Sequence, residues 1–205
     1  MIVVGISGAS GPILGIRLIE ELLNLKERVY AILSGSARSI ITHELGYPMD
    51  KASSFTDLIK TRTLAKNSSL LSVVDDTNFF SPPASGSSRF EAVVVMPCSM
   101  KTLSSVANGY ADSLITRACD VALKEKRRLL LVPRETPLNL IHIENMKKAA
   151  IAGADIVPPV LGFYTHPKTI DDMINFTVGK VLNLLGKHHS LFQSWEEMSH
   201  NFIGE

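Results

Sequence analysis

Three polar segments of the sequence could bind an anion or move a proton. Residues 5–11 read GISGASG after an apolar run, so their backbone N–H groups and the Ser10 hydroxyl could approach a phosphate or a flat ring. Residues 97–102 place two hydroxyls and a lysine together, which favours a second phosphate site. Arg134 and Glu135 follow another apolar run, where a charged pair favours function because burying it without partners is costly.

Each segment also has a purely structural explanation. A glycine-rich turn can simply join a strand to a helix, and Ser99 can simply cap one. Ser10 is itself placed to cap the first helix, with Pro12 in its first turn. The SGSS loop at residues 85–88 could close over a ligand or be a solvated turn.

The first turn lacks the G-x-G-x-x-G spacing, and no acidic residue ends the second strand, so NAD is disfavoured.

Strands and helices alternate along the chain and must position these segments. Apolar runs predict buried strands at residues 2–6, 29–33, 92–96, 128–132 and 154–157, and a weaker run predicts another at 70–74. Helical spacing predicts helices from residue 12 onward, from the loop at 34–36 through Glu44, from 99 onward, and at about 111–126, 138–152 and 169–185. The expected fold is α/β, a Rossmann-like three-layer single domain with a parallel sheet. Its ligands bind at the carboxyl ends of the strands, where all three segments fall.

Composition narrows the class of protein. The 205 residues carry 21 Lys and Arg against 20 Asp and Glu, so the sequence lacks the basic excess of a nucleic-acid binder. Cys98 and Cys119 are the two cysteines; they lack metal-ligand spacing, so we expect no metal and a reducing compartment. No apolar run approaches the ~18 residues of a membrane span, and no basic leader precedes the first strand, which predicts a cytoplasmic protein.

The C-terminal segment is expected to be separate from the ligand site. We predict a domain at residues 1–186 and a docking tail at 187–205. Leu191, Phe192, Trp195 and Met198 recur at helical spacing, which predicts a helix that docks on this subunit or a neighbour. The basic run at residues 126–128 is interpreted as a solvated helix end.

Taken together, these motifs resemble the UbiX-type flavin prenyltransferases of the flavoprotein superfamily. The resemblance covers nearly the whole chain and rests on residues 5–11, 82–88, 97–104, 117–125, 132–137 and 162–167. It implies a large homo-oligomer, typically a dodecamer, with active sites at subunit contacts. The implied reaction moves a dimethylallyl group from dimethylallyl phosphate to N5 and C6 of reduced FMN without a metal. A partner decarboxylase of the ubiquinone-type or aromatic-acid pathway uses the prenylated FMN.

The resemblance also implies the site residues. FMN contacts fall on Gly8, Ala9, Ser10, Ser34, Ser99, Met100, Lys101, Thr102 and Arg134. Allyl phosphate contacts fall on Tyr164, Lys180, Lys124 and Arg134, and the catalytic set is Ser10, Glu44, Glu135 and Lys124. Three positions depart from relatives: Lys180 stands where many have Arg, Gly35 where a Lys is common, and Phe79 where some have Trp.

The implied chemistry leaves two alternatives open. In the prenyltransferase reading, Glu135 protonates the leaving phosphate, and Ser10, relayed to Glu44, handles the flavin N5 proton. An FMN-dependent decarboxylase of the cysteine-peptide type would use a catalytic histidine, and no histidine lies between Glu44 and Ile141. A non-catalytic flavin carrier would bind FMN through Ser10 and Ser99 but would have no use for Glu135.

Overall fold

A six-stranded parallel sheet organises the first of two structural units. Its strands are β1 (Ile2–Ile6), β2 (Val29–Leu33), β3 (Leu71–Asp75), β4 (Ala92–Cys98), β5 (Arg128–Pro133) and β6 (Ala154–Ile156). They lie in the order β3–β2–β1–β4–β5–β6, and neighbouring strands pair in parallel. All seven residues of β4 are buried, as its unbroken apolar run predicts. The predicted α/β class with a parallel sheet is confirmed.

Helices connect the strands. The computed structural model describes residues 1–62 and 67–193. The helices found in those ranges are α1 (Pro12–Asn24), α2 (Gly35–Leu45), α3 (Ala52–Arg62), α4 (Met100–Ala107), α5 (Leu114–Lys124), α6 (Leu140–Ala152) and α7 (Ile170–Leu184). Helix α3 was not predicted. None of the described helices is long and apolar enough to cross a membrane.

Helices cover both faces of the sheet in the first unit, Met1–Pro159. A Cβ placed on Gly5 of β1 would lie 3.1 Å from Ile115 of α5. The next residue, Ile6, points to the other face, and a Cβ on Gly15 of α1 would lie 3.0 Å from its side chain. Helices α1 and α5 therefore pack on opposite faces, which gives the predicted three layers.

The first helix begins differently from the prediction. Its N-cap is Gly11 in the left-handed conformation, with φ of 86°, and no side chain caps it, so the expected capping role of Ser10 is wrong. Pro12 occupies the first helical position as expected. The positive φ favours glycine because it has no Cβ to clash. The Gly11 N–H donates to Glu44 Oε2 at 3.0 Å, so a carboxylate from α2 holds the residue at the cap position.

The second unit, Val160–Glu205, contains α7. Thr169 and Asp172 form a capping box at its start, and Val178 and Val181 are buried along one side. The predicted tail helix does not begin at Leu191 and Phe192, which lie in a bend, while Trp195 and Met198 lie outside the described residues. The division between residues 186 and 187 stays a prediction.

Candidate active site

A cavity of about 380 Å³ opens at the carboxyl edge of the sheet. Its volume lies in the range of about 300–1,000 Å³ typical of small-molecule sites. It brings together six of the nine predicted FMN contacts and one predicted catalytic acid: Gly8, Ser34, Ser99, Met100, Lys101, Thr102 and Glu135. Ala9 and Ser10 follow Gly8 directly but do not line it. Most of the FMN contacts that the resemblance implies therefore share one cavity.

A buried serine ties two of the lining loops together. The Ser7 hydroxyl donates to the Pro97 carbonyl at 3.0 Å and accepts from the Ser99 N–H at 2.8 Å. Its side chain is 1% exposed, so water does not compete for these bonds. Ser7 fixes the glycine-rich turn against the β4–α4 turn. The sequence analysis missed this role, although a serine inside a glycine-rich strand end was the available signal.

Three helices begin at this cavity. Ser34, Ser99 and Ser113 are the N-caps of α2, α4 and α5, and each side-chain oxygen accepts an N–H from its own first turn. The Ser34 hydroxyl still has a proton to donate to a ligand, whereas the Ser99 and Ser113 hydroxyls already contact Thr102 Oγ1 at 3.0 Å and Thr116 Oγ1 at 3.2 Å. The unpaired N–H groups at a helix start carry partial positive charge, so the helix starts favour an anion. Lys101 is the cationic side chain among the described lining residues.

An acidic residue that the sequence analysis did not select supports the third of these helices. The Asp76 carbonyl accepts the Leu114 N–H at 2.7 Å, and its Oδ1 accepts the Ile115 N–H at 2.8 Å. Asp76 lines the cavity, and its partial burial raises the pKa of this carboxyl above the usual range. Asp112 is a second unpredicted acid in the lining. No sequence motif marked either residue, and the partners of Asp76 are backbone groups of residues distant in the chain.

The predicted acids reach the site in different ways. Glu135 lines the cavity, is exposed, and accepts the Thr136 N–H at 3.0 Å. Among the described residues it makes no ion pair with Arg134, whose backbone N–H donates to the Cys98 carbonyl at 3.1 Å. Arg134 does not line the cavity. Glu44 contacts Gly11, the residue after Ser10, rather than the Ser10 hydroxyl.

Lys124 lies far from the cavity of its own chain. Helix α5 starts at the cavity and ends at Lys124, so roughly 15 Å of helix separates its backbone from the lining residues. Its ammonium pairs with the neighbouring Glu125 and borders Gly86. The chain alone therefore does not bring Lys124 to the other catalytic candidates.

The serine-rich loop beside Lys124 is anchored by two arginines. Arg117 Nε donates to the Ala84 carbonyl at 3.1 Å, and Arg127 Nη2 donates to the Gly86 carbonyl at 2.6 Å. The Arg127 guanidinium also lies 4.1 Å from the ring centroid of Phe90. Interpreting residues 126–128 as a solvated helix end was therefore wrong for Arg127. The contacts of its aliphatic stem and of its guanidinium with the Phe90 ring bury much of the Arg127 side chain.

The predicted allyl phosphate contacts of the second unit share one aromatic neighbour. The Tyr164 ring meets Phe176 edge-on, with centroids 5.5 Å apart. The Lys180 ammonium also lies 5.5 Å from the centroid of the Phe176 ring. Phe176 therefore holds these two predicted ligands in one cluster.

A larger cavity, of about 700 Å³, lies at the opposite edge of the sheet. It is lined by the first residues of β4 and β5, Ala92 and Arg128, and by charged neighbours of both signs. Ligands of open parallel sheets bind at the carboxyl edge, and the hydroxyls and helix starts lie there. We therefore assign the smaller cavity as the candidate active site.

Comparison with known proteins identifies the family of the chain. A family model described as flavoprotein matches residues 1–182. The flavin prenyltransferase UbiX of Methanocaldococcus jannaschii is 48% identical, over 95% of this chain and 97% of the relative. The structure of AnUbiX with FMN and dimethylallyl pyrophosphate matches with a TM-score of 0.82 and 38% identity, covering 95% of this chain and 96% of that one.

A second similar solved structure is that of a dodecameric protein. The dodecameric FMN-dependent UbiX-like decarboxylase of Escherichia coli O157:H7 matches with a TM-score of 0.82 and 36% identity, covering 95% of this chain and 98% of that one. Identity at this level over nearly complete chains exceeds what a shared fold alone requires. The chain therefore belongs to the flavoprotein family and, within it, to the UbiX flavin prenyltransferases.

Proposed function

We propose that this protein is a flavin prenyltransferase that transfers the dimethylallyl group of dimethylallyl phosphate to reduced FMN. The observation that carries the proposal is the cavity in which three helix starts meet an exposed carboxyl group, Glu135. Such a cavity offers anion-binding amides and a proton donor together. A relative with 48% identity over 95% of this chain is named a flavin prenyltransferase.

The donor set fits a phosphorylated flavin. Ser34, Ser99 and Thr102 combine hydroxyl donors with helix-start amides, which suits the FMN phosphate. Gly8, Ala9 and Ser10 form the turn against which the ring would lie, and Met100, Lys101 and Arg134 complete the proposed contacts. A Cβ on Gly8 would lie 2.6 Å from Ser36 Cβ, so the turn and α2 approach too closely for a larger residue. Bound reduced FMN supplies the nucleophilic positions that accept the allyl group.

The second substrate needs charge neutralisation without a competing nucleophile. Breaking its C–O bond leaves positive charge on the allyl carbon and negative charge on the phosphate. We assign the phosphate to Tyr164, Lys180, Lys124 and Arg134. Burial raises the pKa of the Cys98 thiol to about 12, so this sulfur beside the site stays protonated and does not trap the allyl group.

Two carboxyl groups have separate proposed roles. Glu135 is exposed to the cavity and protonates the departing phosphate as a general acid. Glu44 accepts a hydrogen bond from the Gly11 N–H and so fixes the turn that carries Ser10. Ser10 transfers the proton at flavin N5. Glu44 bonds to the residue after Ser10, and the proposed relay requires the Ser10 hydroxyl to turn toward that carboxylate.

We propose that the active protein is a homo-oligomer, a dodecamer, in which Lys124 serves the site of a neighbouring copy. The separation of Lys124 from the cavity of its own chain supports this assignment. A relative with 36% identity is described as dodecameric. An oligomer would place the anchored loop at residues 82–88 and Lys124 together at a subunit contact.

The product has a proposed use and location. Prenylated FMN would pass to a decarboxylase of the ubiquinone-type or aromatic-acid pathway. Both free thiols, Cys98 and Cys119, are buried in the first unit and unpaired with each other, which suits a reducing compartment such as the cytoplasm.

The decisive experiment is anaerobic incubation of the protein with reduced FMN and dimethylallyl phosphate, followed by mass spectrometry of the flavin. A flavin that carries one dimethylallyl group is expected, and a parallel reaction with the diphosphate identifies the preferred donor. Unchanged FMN with tight binding would instead indicate a flavin carrier. Release of carbon dioxide from a peptide with a C-terminal cysteine would indicate the decarboxylase alternative.

A further inference from the structure

An aromatic cluster in the second unit surrounds the ammonium group of Lys180. Its Nζ lies 5.5 Å from the ring centroid of Phe176 and 5.7 Å from that of Phe192. The two rings contact each other, with centroids 5.1 Å apart. Both distances fall within the ~6 Å over which a ring face attracts a cation. The ammonium is thus shared by a residue of α7 and a residue of the chain that follows α7.

The backbone is closely fitted around Phe192. A Cβ at Gly179 would lie 2.8 Å from Cδ1 of Phe192 and 2.7 Å from Cε1 of His189, so a larger residue would displace both rings. The Leu191 N–H donates to His189 Nδ1 at 3.2 Å, and the His189 ring lies 5.1 Å from the Phe192 ring. The glycine and the histidine together fix the bend that carries Phe192. The position of its ring is therefore defined by the surrounding structure.

Aromatic rings orient a lysine without cancelling its charge. A carboxylate partner would also hold Lys180, but it would compete with any anionic ligand. In the part of the chain that the structure describes, no carboxylate lies within ion-pair distance of Lys180, and the side chain is exposed. Its three N–H donors remain available to an anion from solution. Two ring faces restrict the flexible stem and so replace some of the rigidity of an arginine fork.

We propose that Phe192 is a positioning residue that sets the affinity for the anionic allyl substrate through Lys180. Phe176 contacts both Tyr164 and Lys180, so the ring of Phe192 closes a cluster that contains both proposed phosphate ligands of this unit. The inference rests on the proposed function for the identity of the substrate. It gives the segment after α7 a role in substrate binding.

The test measures binding of dimethylallyl phosphate to the full-length protein by calorimetry, without flavin turnover. Phe192→Leu keeps an apolar side chain but removes the ring face, and we expect binding about two- to fivefold weaker. Phe192→Tyr keeps a ring face and is the matched control, which is expected to bind dimethylallyl phosphate as tightly as the wild type. Melting temperatures of both variants measure any loss of packing separately.

A double-variant cycle shows whether the ring acts through Lys180. In a Lys180→Met background, Phe192→Leu is expected to cause no further weakening, because the cation that the ring orients is gone. Equal weakening of allyl phosphate binding in both backgrounds would overturn the inference. So would a tyrosine variant that binds as weakly as the leucine variant, or a wild-type protein that does not bind the allyl phosphate.

Flavin turnover is scored independently of this cycle. Coupled binding without any prenylated flavin would refute the proposed function and leave the role of Phe192 standing. Prenylated flavin without coupling would refute the role of Phe192 alone.

Discussion

The close approach of the glycine-rich turn to α2 leads to a test with a built-in rescue. Gly8→Ala would place a methyl group 2.6 Å from Ser36 Cβ and 3.3 Å from Ser36 Oγ. Carbon atoms pack at about 3.5–4.0 Å, so the turn and the helix must separate by roughly 1 Å. Forcing an extra carbon into a packed site costs about 1–3 kcal/mol.

The expected loss appears as a lower melting temperature. A cost of about 2 kcal/mol lowers Tm by about 4–8 °C in a chain of this size. Ser36→Gly removes the atoms that the new methyl group meets, since the next contact is Ser36 Cα at an ordinary 3.9 Å. On its own this change costs at most about 1 kcal/mol, the penalty of a glycine in a helix. Together the two changes should destabilise less than Gly8→Ala alone.

The matched control is Gly35→Ala, one residue from Ser36. A Cβ at Gly35 has no heavy atom within 4 Å, so this variant should be neutral or stabilised by about 0.4–1 kcal/mol. Thermal melting followed by circular dichroism measures the four variants against the wild type. If Gly8→Ala and Ser36→Gly prove additive, the steric reasoning is refuted, because a shared clash must appear as a coupling of about 1 kcal/mol or more.

Three further changes test the proposed site. Glu135→Gln should lower single-turnover rate by about 10²–10⁴-fold without changing FMN affinity or Tm, and a normal rate would remove its acid role. Burial raises the pKa of Asp76 above its ordinary 3.8, so the free energy of unfolding should fall as pH rises through the raised value; Asp76→Asn should flatten that dependence in urea titrations at about pH 4 and pH 7. Gly35→Lys should tighten FMN binding a few-fold, and unchanged affinity would exclude a cation subsite there.

Much of the sheet and its helices could be predicted because burial leaves a periodic trace. The apolar run that becomes β4 is an example, and strand order then places residues 5–11 and 97–102 at one edge. Helix α3 was missed although Phe55, Leu58 and Ile59 form a short stripe at helical spacing and are buried. The surrounding serines and charged residues hid that stripe, because its apolar face is only one turn long.

The contacts that complete the site could not be predicted from local pattern. The bond between Gly11 and Glu44 joins residues 33 positions apart, and the one between Ser7 and Ser99 joins residues 92 apart. Ser10 has a good capping side chain, but the left-handed Gly11 takes the cap position. Sequence can supply the residue types for such bonds, whereas only the folded chain selects the partners.

Affinity built from backbone dipoles responds to solution conditions differently from affinity built from charged side chains. The amides at the starts of α2, α4 and α5 do not titrate, and their partial charges attract few counterions. The exposed ammonium of Lys180 is screened by dissolved ions, because the Debye length at physiological ionic strength is about 8 Å. Added salt should therefore weaken the contribution of Lys180 to binding of the allyl phosphate more than the contribution of the helix starts to binding of the flavin phosphate. The two substrates of one reaction would thus differ in their dependence on ionic strength.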